Sequence, residues 1–293
     1  MDKELQRLLK GVSRSIYLSI RILPKKLRDP VGIAYLFCRT ADTIADTDLV
    51  PVQQRLQVLR EFRSSFSPSL QRRGEGEVCP SLVGPTSAEA ILLQSTSKIF
   101  SDFNHFSPAV QQIISDLVAE LTQGMEMDLT NHSIPNRSAL DQYTYYVAGV
   151  VGKFWTRILI ETIPACRRLD SQQMIEWGIN YGKGLQLINV LRDLPRDLQM
   201  GRCYLPADEL AAADMILVYA RWLELAKELL EDGRRYIAAL PRRLFRVRMA
   251  TALPLRLGFA TLDLLKNNPQ VLNPRVVIKI PRWKVYAALI TAR

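Results

Sequence analysis

Apolar residues recur along most of this chain at spacings of three and four, the period of helices that bury one face. The segment ADMILVYARWLELAKELLEDGRRYIAAL, residues 213–240, illustrates the pattern. Ile216, Ala220, Leu223, Ala226 and Leu230 share one face. Glu224, Glu228, Glu231 and Arg235 fall on the solvated side, with Glu231 and Arg235 at the favourable i,i+4 spacing. The same periodicity predicts helices over 3–22, 30–47, 51–63, 87–103, 107–128, 138–162, 171–199 and 243–266. Strand signals are scarce. The clearest interruption, SPSLQRRGEGEVCPSLVGPTS at 67–87, is rich in Ser, Pro and Gly and reads as a long surface loop. Similar helices lie on both sides of it and no fixed-period repeat is present, so the pattern predicts a single all-α domain over 1–293.

Two segments depart from ordinary amphipathic patterning. In VGIAYLFCRTADTIAD nearly every position is apolar or small, the pattern of a buried helix. Counting about 100° per residue from Tyr35, Arg39, Asp42 and Asp46 fall at about 40°, −20° and 20°, so the four form one narrow stripe. Asp48 points about 120° away from Asp42 by the same geometry and is left out. Acidic pairs on helices are usually solvated faces. A buried carboxylate without a partner is costly, however, so this stripe asks for a polar cavity or a cation. YGKGLQLINVLRDLPRD repeats the design: Gly182, Gln186, Asn189, Asp193 and Asp197 share a face, and Leu187, Val190, Leu191 and Leu194 occupy the other. Pro195 between the aspartates predicts a kink or the final turn. Two oxygen-rich stripes facing each other would suit Mg²⁺, which joins a few carboxylates to substrate phosphates. Arg39, Arg192 and Arg202 stand beside the stripes, and arginine pairs well with phosphate. The combination predicts a diphosphate held between metal ions and guanidinium groups.

Composition narrows the setting. Hydrophobic residues make up 48% and charged residues 23% of the 293, an ordinary globular balance, whereas the net charge of +10 predicts an anionic partner. Cys38, Cys79, Cys166 and Cys203 are far apart without a CxxC, and His105 and His132 are the only histidines, so free thiols are expected rather than a zinc site. MDKELQRLLKGV lacks the apolar core of a signal peptide. The most apolar run, YVAGVVGKFWTRILIETI, is broken by Lys153 and Arg157 and is no membrane span. A cytoplasmic protein is expected, with peripheral contact to the inner face of a membrane as a further expectation.

At this point the chain resembles the squalene and phytoene synthases, the head-to-head trans-prenyl synthases, over about residues 10–266, with a basic tail at 267–293. The resemblance is carried by VSRSIYLSIRILP, similar to the family's substrate flap, and by YLFCRTADTIAD, similar to its first aspartate-rich motif. YTYYVAGVVG and GLQLINVLRDLPRDLQMGRCYLP are similar to its central and second aspartate-rich segments. It implies the all-α isoprenoid synthase fold, one helical domain around a central cavity. It also implies two prenyl diphosphates as substrates and Mg²⁺ as the cofactor, with Mn²⁺ as a substitute. By position, Asp42, Asp46, Asp193 and Asp197 match metal-binding aspartates, with Asn189 as a further ligand. Tyr143 matches a tyrosine near the reacting carbons, so the implied catalytic set is the four aspartates and Tyr143. Ser13, Arg14, Arg39, Arg192 and Arg202 match diphosphate-contacting positions. Ser15, Ile16, Tyr35, Val147, Gly182, Gln186, Tyr204 and Phe259 complete the implied substrate-binding set. Two departures stand out: Arg196 where relatives have Glu, and Ile16 where an aromatic is common.

The first, central and flap segments are most similar to squalene synthases, those of bacteria in particular. That implies two farnesyl diphosphates condensing to presqualene diphosphate and then to squalene. The alternatives are stopping at presqualene diphosphate, dehydrosqualene, or phytoene from geranylgeranyl diphosphate. NADPH is implied only by the subgroup, since no GxGxxG follows a strand. A reading of another class rests on GRRYIAALPRRLFRVRMATALPLR, which holds seven arginines and no acid. It suits a basic helical membrane-binding protein better than a nucleic-acid binder, because no recognition motif accompanies it. The sequence carries no signal of oligomeric state.

Overall fold

The periodic segments are helical in the structure, a computed structural model that describes residues 1–13, 16–66, 88–130, 133–276 and 278–280, with the side chain of Ile16 excepted. The predicted loop at 67–87 lies outside the described residues. The chain divides into two compact units, Met1–Leu129 with Arg157–Pro164, and Thr130–Thr156 with Ala165–Arg293.

The first unit contains α1 (Lys3–Val12), α2 (Ile16–Ile22), α3 (Lys25–Asp46), α4 (Val52–Ser64), α5 (Ala88–Gln94), α6 (Thr96–Asn104) and α7 (Pro108–Thr130, whose last residue belongs to the second unit). Its core is an aromatic cluster. The Phe37 ring lies 4.7 Å from Phe100, 4.8 Å from Phe66, 5.5 Å from Phe103 and 6.2 Å from Phe62. Phe37 follows Tyr35 by two residues, about 200° around the helix. The cluster therefore grips the back of α3 and turns the Tyr35–Asp46 stripe the other way.

Three predicted helices differ in extent. The helix expected over 3–22 is two helices, because α1 ends at Val12 and Ser13 caps it, with its backbone N–H donating to Leu9 O at 3.0 Å. The helix expected over 87–103 breaks at Ser95, whose hydroxyl donates to Ile91 O at 2.7 Å. Helix α3 begins at Lys25 rather than at Pro30, which the helix accommodates in its interior. The packing of buried Leu27, Val31 and Ile33 extends the helix past the proline.

The second unit contains α8 (Arg137–Thr144), a π-helical turn (Tyr145–Gly149), the first part of α9 (Val150–Thr162), α10 (Ser171–Gln199), α11 (Ala207–Ala212), α12 (Met215–Ala239) and α13 (Phe245–Lys266). Strands β1 (Ser133–Ile134) and β2 (Cys203–Pro206) pair in parallel, Ser133 opposite Cys203. Asn136 caps α8 by accepting from Ala139 N–H at 3.0 Å, and Asp170 caps α10 by accepting from Gln172 and Gln173 N–H at 3.1 Å. Helix α10 packs along α12 and α13, burying Leu187, Val190, Leu191 and Leu194. It runs on to Gln199 past Pro195, so the proline does not mark its last turn.

Helix α12 corrects the predicted face. Ile216 is 64% exposed and Ala220 is exposed, while Val218, Tyr219, Trp222, Leu223, Ala226, Leu230 and Tyr236 are buried. The two large aromatics draw the stripe to their side of the helix. Glu231 pairs with Arg234 at 2.7 Å rather than with Arg235. Arg235 instead pairs at 2.8 Å with Asp232, which α10 holds through Asn180 Nδ2 at 2.8 Å. Among the described cysteines, Cys38, Cys166 and Cys203 are free thiols. No described helix is long and apolar enough to cross a membrane.

Candidate active site

From Val31 to Ala45 every residue of α3 is buried except Tyr35, Cys38, Arg39 and Asp42, and Asp46 beyond them is exposed. From Val31 onward, the stripe expected from helical geometry, with Cys38 beside it, is thus the part of α3 left open to solvent. Arg39 lies between two carboxylates: Nη1 is 3.8 Å from Asp42, and Nη2 donates to Glu89 of α5 at 3.2 Å. Its Nε is buried and makes no hydrogen bond, a donor left over for an anion. Burial first, and then the charge of Asp46, push the Asp42 carboxyl up to about 6 against the pull of Arg39, although 43% of the side chain remains exposed. A cation beside Asp42 would relieve that upward shift. The Tyr35 hydroxyl donates to Val12 O at 3.4 Å, tying the stripe to the end of α1, and burial raises its pKa. Ser13 is buried and its hydroxyl donates to Leu9 O. Arg14, Ser15 and the side chain of Ile16 lie outside the described residues.

In the second unit Gln186, Asn189, Asp193 and Asp197 are all half-buried on α10, opposite its buried leucines and valine. Asn189 Nδ2 donates to Gln186 Oε1 at 3.3 Å. Arg192 grips its neighbour Asp193 with two bonds, Nε to Oδ1 at 2.9 Å and Nη2 to Oδ2 at 2.6 Å, and these raise the Arg192 pKa. The chain turns back at Gly201, where φ is +73°, a conformation that suits glycine. The turn lets Arg202 N–H donate to Asp197 O at 2.9 Å and leaves the Arg202 side chain exposed. Arg196, the departure from the resemblance, is exposed and lies in the last turn of α10.

Strand β2 brings Tyr204 onto Tyr143 of α8, ring centroids 5.1 Å apart and 25° from parallel. Val147 is half-buried in the π-helical turn that follows. Such turns commonly mark functional sites. Gly182 is buried where α10 meets that turn, and a Cβ there would stand 2.3 Å from Ala148 O, so only glycine fits. Phe259 lies under the Arg234 guanidinium, 4.0 Å from the ring centroid.

Sequence reasoning missed Glu89, the π-helical turn and the ion pair of Lys183 with Asp141. Each joins positions far apart in the chain or depends on backbone geometry, and none carries a local signal. Among the described residues no three His, Cys, Asp or Glu side chains form a metal-holding group. The donor set is a carboxylate pair at a time. It fits a hard cation whose remaining ligands come from substrate and water.

A sequence profile of the squalene/phytoene synthases matches residues 9–284. A squalene synthase of Yarrowia lipolytica is 26% identical over 93% of this chain and 63% of its own length. A bifunctional lycopene cyclase/phytoene synthase of Phycomyces blakesleeanus is 29% identical over 79% of this chain and 37% of its own length. The chain thus spans less than two thirds of either relative. Among solved structures, a TcSQS complex with the ligand E5700 superposes with a TM-score of 0.80 at 23% identity, covering 99% of this chain and 85% of that one. A dehydrosqualene synthase bound to a ligand gives 0.70 at 22% identity, covering 99% and 94%. At these identities the structures speak for the fold, which is the all-α isoprenoid synthase fold.

Proposed function

The chain belongs to the squalene/phytoene synthase family, and from that premise we propose that it is a prenyltransferase joining two farnesyl diphosphates head to head, by way of presqualene diphosphate, to squalene. The observation that carries the reading is the α3 stripe: an arginine with an unsatisfied buried donor beside Asp42, whose carboxyl burial and Asp46 push up to about 6. The α10 stripe, with Arg192 and Asp193, supports it.

The chemistry follows from these groups. The C1–O bond of one prenyl diphosphate breaks and the diphosphate leaves with the electron pair. Charge grows on the leaving oxygens, and preplaced cations stabilise that transition state. Arg39, Arg192 and Arg202 would bind the phosphate oxygens. Mg²⁺, held by Asp42 and Asp46 and by Asn189, Asp193 and Asp197, would supply further charge stabilisation to the leaving group. The allylic cation is captured by the double bond of the second substrate, and a proton is lost as the cyclopropane closes. Tyr143, stacked on Tyr204, would present a π face to the developing cation. A second ionisation would open the ring, and NADPH would supply the hydride that completes squalene.

The test is incubation of the purified protein with farnesyl or geranylgeranyl diphosphate and Mg²⁺, with and without NADPH, followed by product mass. Farnesyl diphosphate turning over to squalene only with NADPH is the expected result. Failure to consume either substrate refutes the proposal. The same product with and without NADPH removes the reductive step.

A further inference from the structure

The seven arginines between Gly233 and Arg256 do different jobs in the structure. Arg234 and Arg235 pair with Glu231 and Asp232 at 2.7 and 2.8 Å. Arg248 donates to Ile237 O and, at 2.8 Å, to Leu240 O, closing the C-terminal end of α12. Arg242, Arg243 and Arg246 stand exposed around the turn Pro241–Leu244, which Leu244 N–H closes onto Pro241 O at 2.9 Å. In their midst Phe245, the first residue of α13, has 66% of its surface exposed. Arg243 is also close enough to Cys166 to oppose the rise that burial gives its thiol. Arg167 and Arg168, both exposed, follow Cys166 in the chain. The nearest acid in that stretch, Asp170, is engaged in capping α10.

We propose that this α12–α13 tip docks the protein on an anionic lipid surface, with Phe245 entering the boundary between headgroups and acyl chains and the arginines meeting lipid phosphates. A large exposed aromatic ringed by guanidinium groups has no use in solvent. It matches a surface that is apolar beneath and negative above. The Arg248 bonds hold the turn to α12, so docking orders little that is not already ordered. A nucleic acid would use the charge but asks for several stacking aromatics, and the tip has one. One exposed apolar pair elsewhere, Ile216 and Leu217 at 64% and 62%, follows the acidic cap Asp214 and has the wrong sign for such a surface. This inference does not depend on the prenyl-transfer reading.

The test is co-sedimentation of the full chain, without substrate, on phosphatidylcholine vesicles with and without phosphatidylglycerol, at low and high salt. Binding to the anionic vesicles at low salt is expected, falling as salt rises. Each arginine near such a surface is worth about fivefold, so R242Q/R243Q should lower partitioning by about twenty-five-fold. Phe245→Ser should weaken the binding that survives at intermediate salt, and I216S/L217S should leave it unchanged. All replaced side chains are exposed, and unchanged thermal melts will confirm folding. Three results overturn the proposal: no binding to anionic vesicles, binding untouched by the tip variants, or duplex DNA displacing the protein from vesicles at physiological salt.

Discussion

Asp42→Asn should make the protein more stable while stopping turnover. The Asp42 carboxyl rises from 3.8 to about 6, through burial first and Asp46 second. At full weight that shift is about 3 kcal/mol. With 43% of the side chain exposed, solvent screening reduces it to about 1 kcal/mol. The sign follows from linkage. A folded-state pKa above the unfolded value gives stability that is complete below 3.8 and lost as pH rises through about 6. Asparagine keeps the shape and never ionises, so its advantage should be absent near the unfolded pKa and complete above the folded one. About 1 kcal/mol corresponds to a rise in Tm of about 2 °C in a chain of this size. Calorimetric melts in EDTA across that pH range measure it. Adding Mg²⁺ should reverse the order, because a cation that binds only the native wild type stabilises it by about 1.4 kcal/mol at tenfold excess over Kd. If Asp42→Asn melts several degrees below wild type in EDTA at neutral pH, Asp42 is a structural partner of Arg39 and the metal reading of α3 fails.

Three further outcomes are expected. Asp193→Ala should abolish product formation in the mass assay while the helical circular dichroism stays at wild-type strength. Near-normal turnover would make the Arg192–Asp193 pair purely structural. Gly182→Ala drives a methyl group toward Ala148 O, 2.3 Å away, and should cost about 1–3 kcal/mol by denaturant titration, with activity falling as the π-helical turn shifts. Phe37→Ala removes the centre of the five-ring cluster and should cost about 3–5 kcal/mol, the largest loss of the set, by the same titration.

The two stripes were legible in the sequence because an all-apolar helix leaves a polar side chain nowhere inconspicuous. Tyr35, Arg39 and Asp42 stand out in α3 for the same reason that they remain accessible in it. Where the pattern misled, a longer-range force outweighed a local one. Packing around Leu27 and Ile33 started α3 five residues before Pro30. Tyr219 and Trp222 rotated the first turns of α12 away from Ile216. Ser95 bent one predicted helix into two with a hydroxyl that periodicity ignores. Glu89 could not be found, since nothing in AEAILLQ says that its acid will meet Arg39, 50 residues earlier.

The arginines beside the stripes explain how such acidic helices fold before any cation arrives. Asp193 is held by a neighbouring guanidinium in a two-bond grip, while Asp42 has a looser hold at 3.8 Å and an upward-shifted carboxyl. Glu89 draws Arg39 part of the way off Asp42, which leaves that carboxylate under-neutralised and Arg39 Nε without an acceptor. A ligand that brings anionic oxygens and a hard cation together corrects both deficits in α3 at once. In α10 the same ligand must first displace Arg192 from Asp193. On the proposed function, the first unit's stripe should therefore bind a metal–diphosphate pair more strongly when the protein starts empty, and Asp42→Asn should depress affinity for that pair more than Asp193→Asn does.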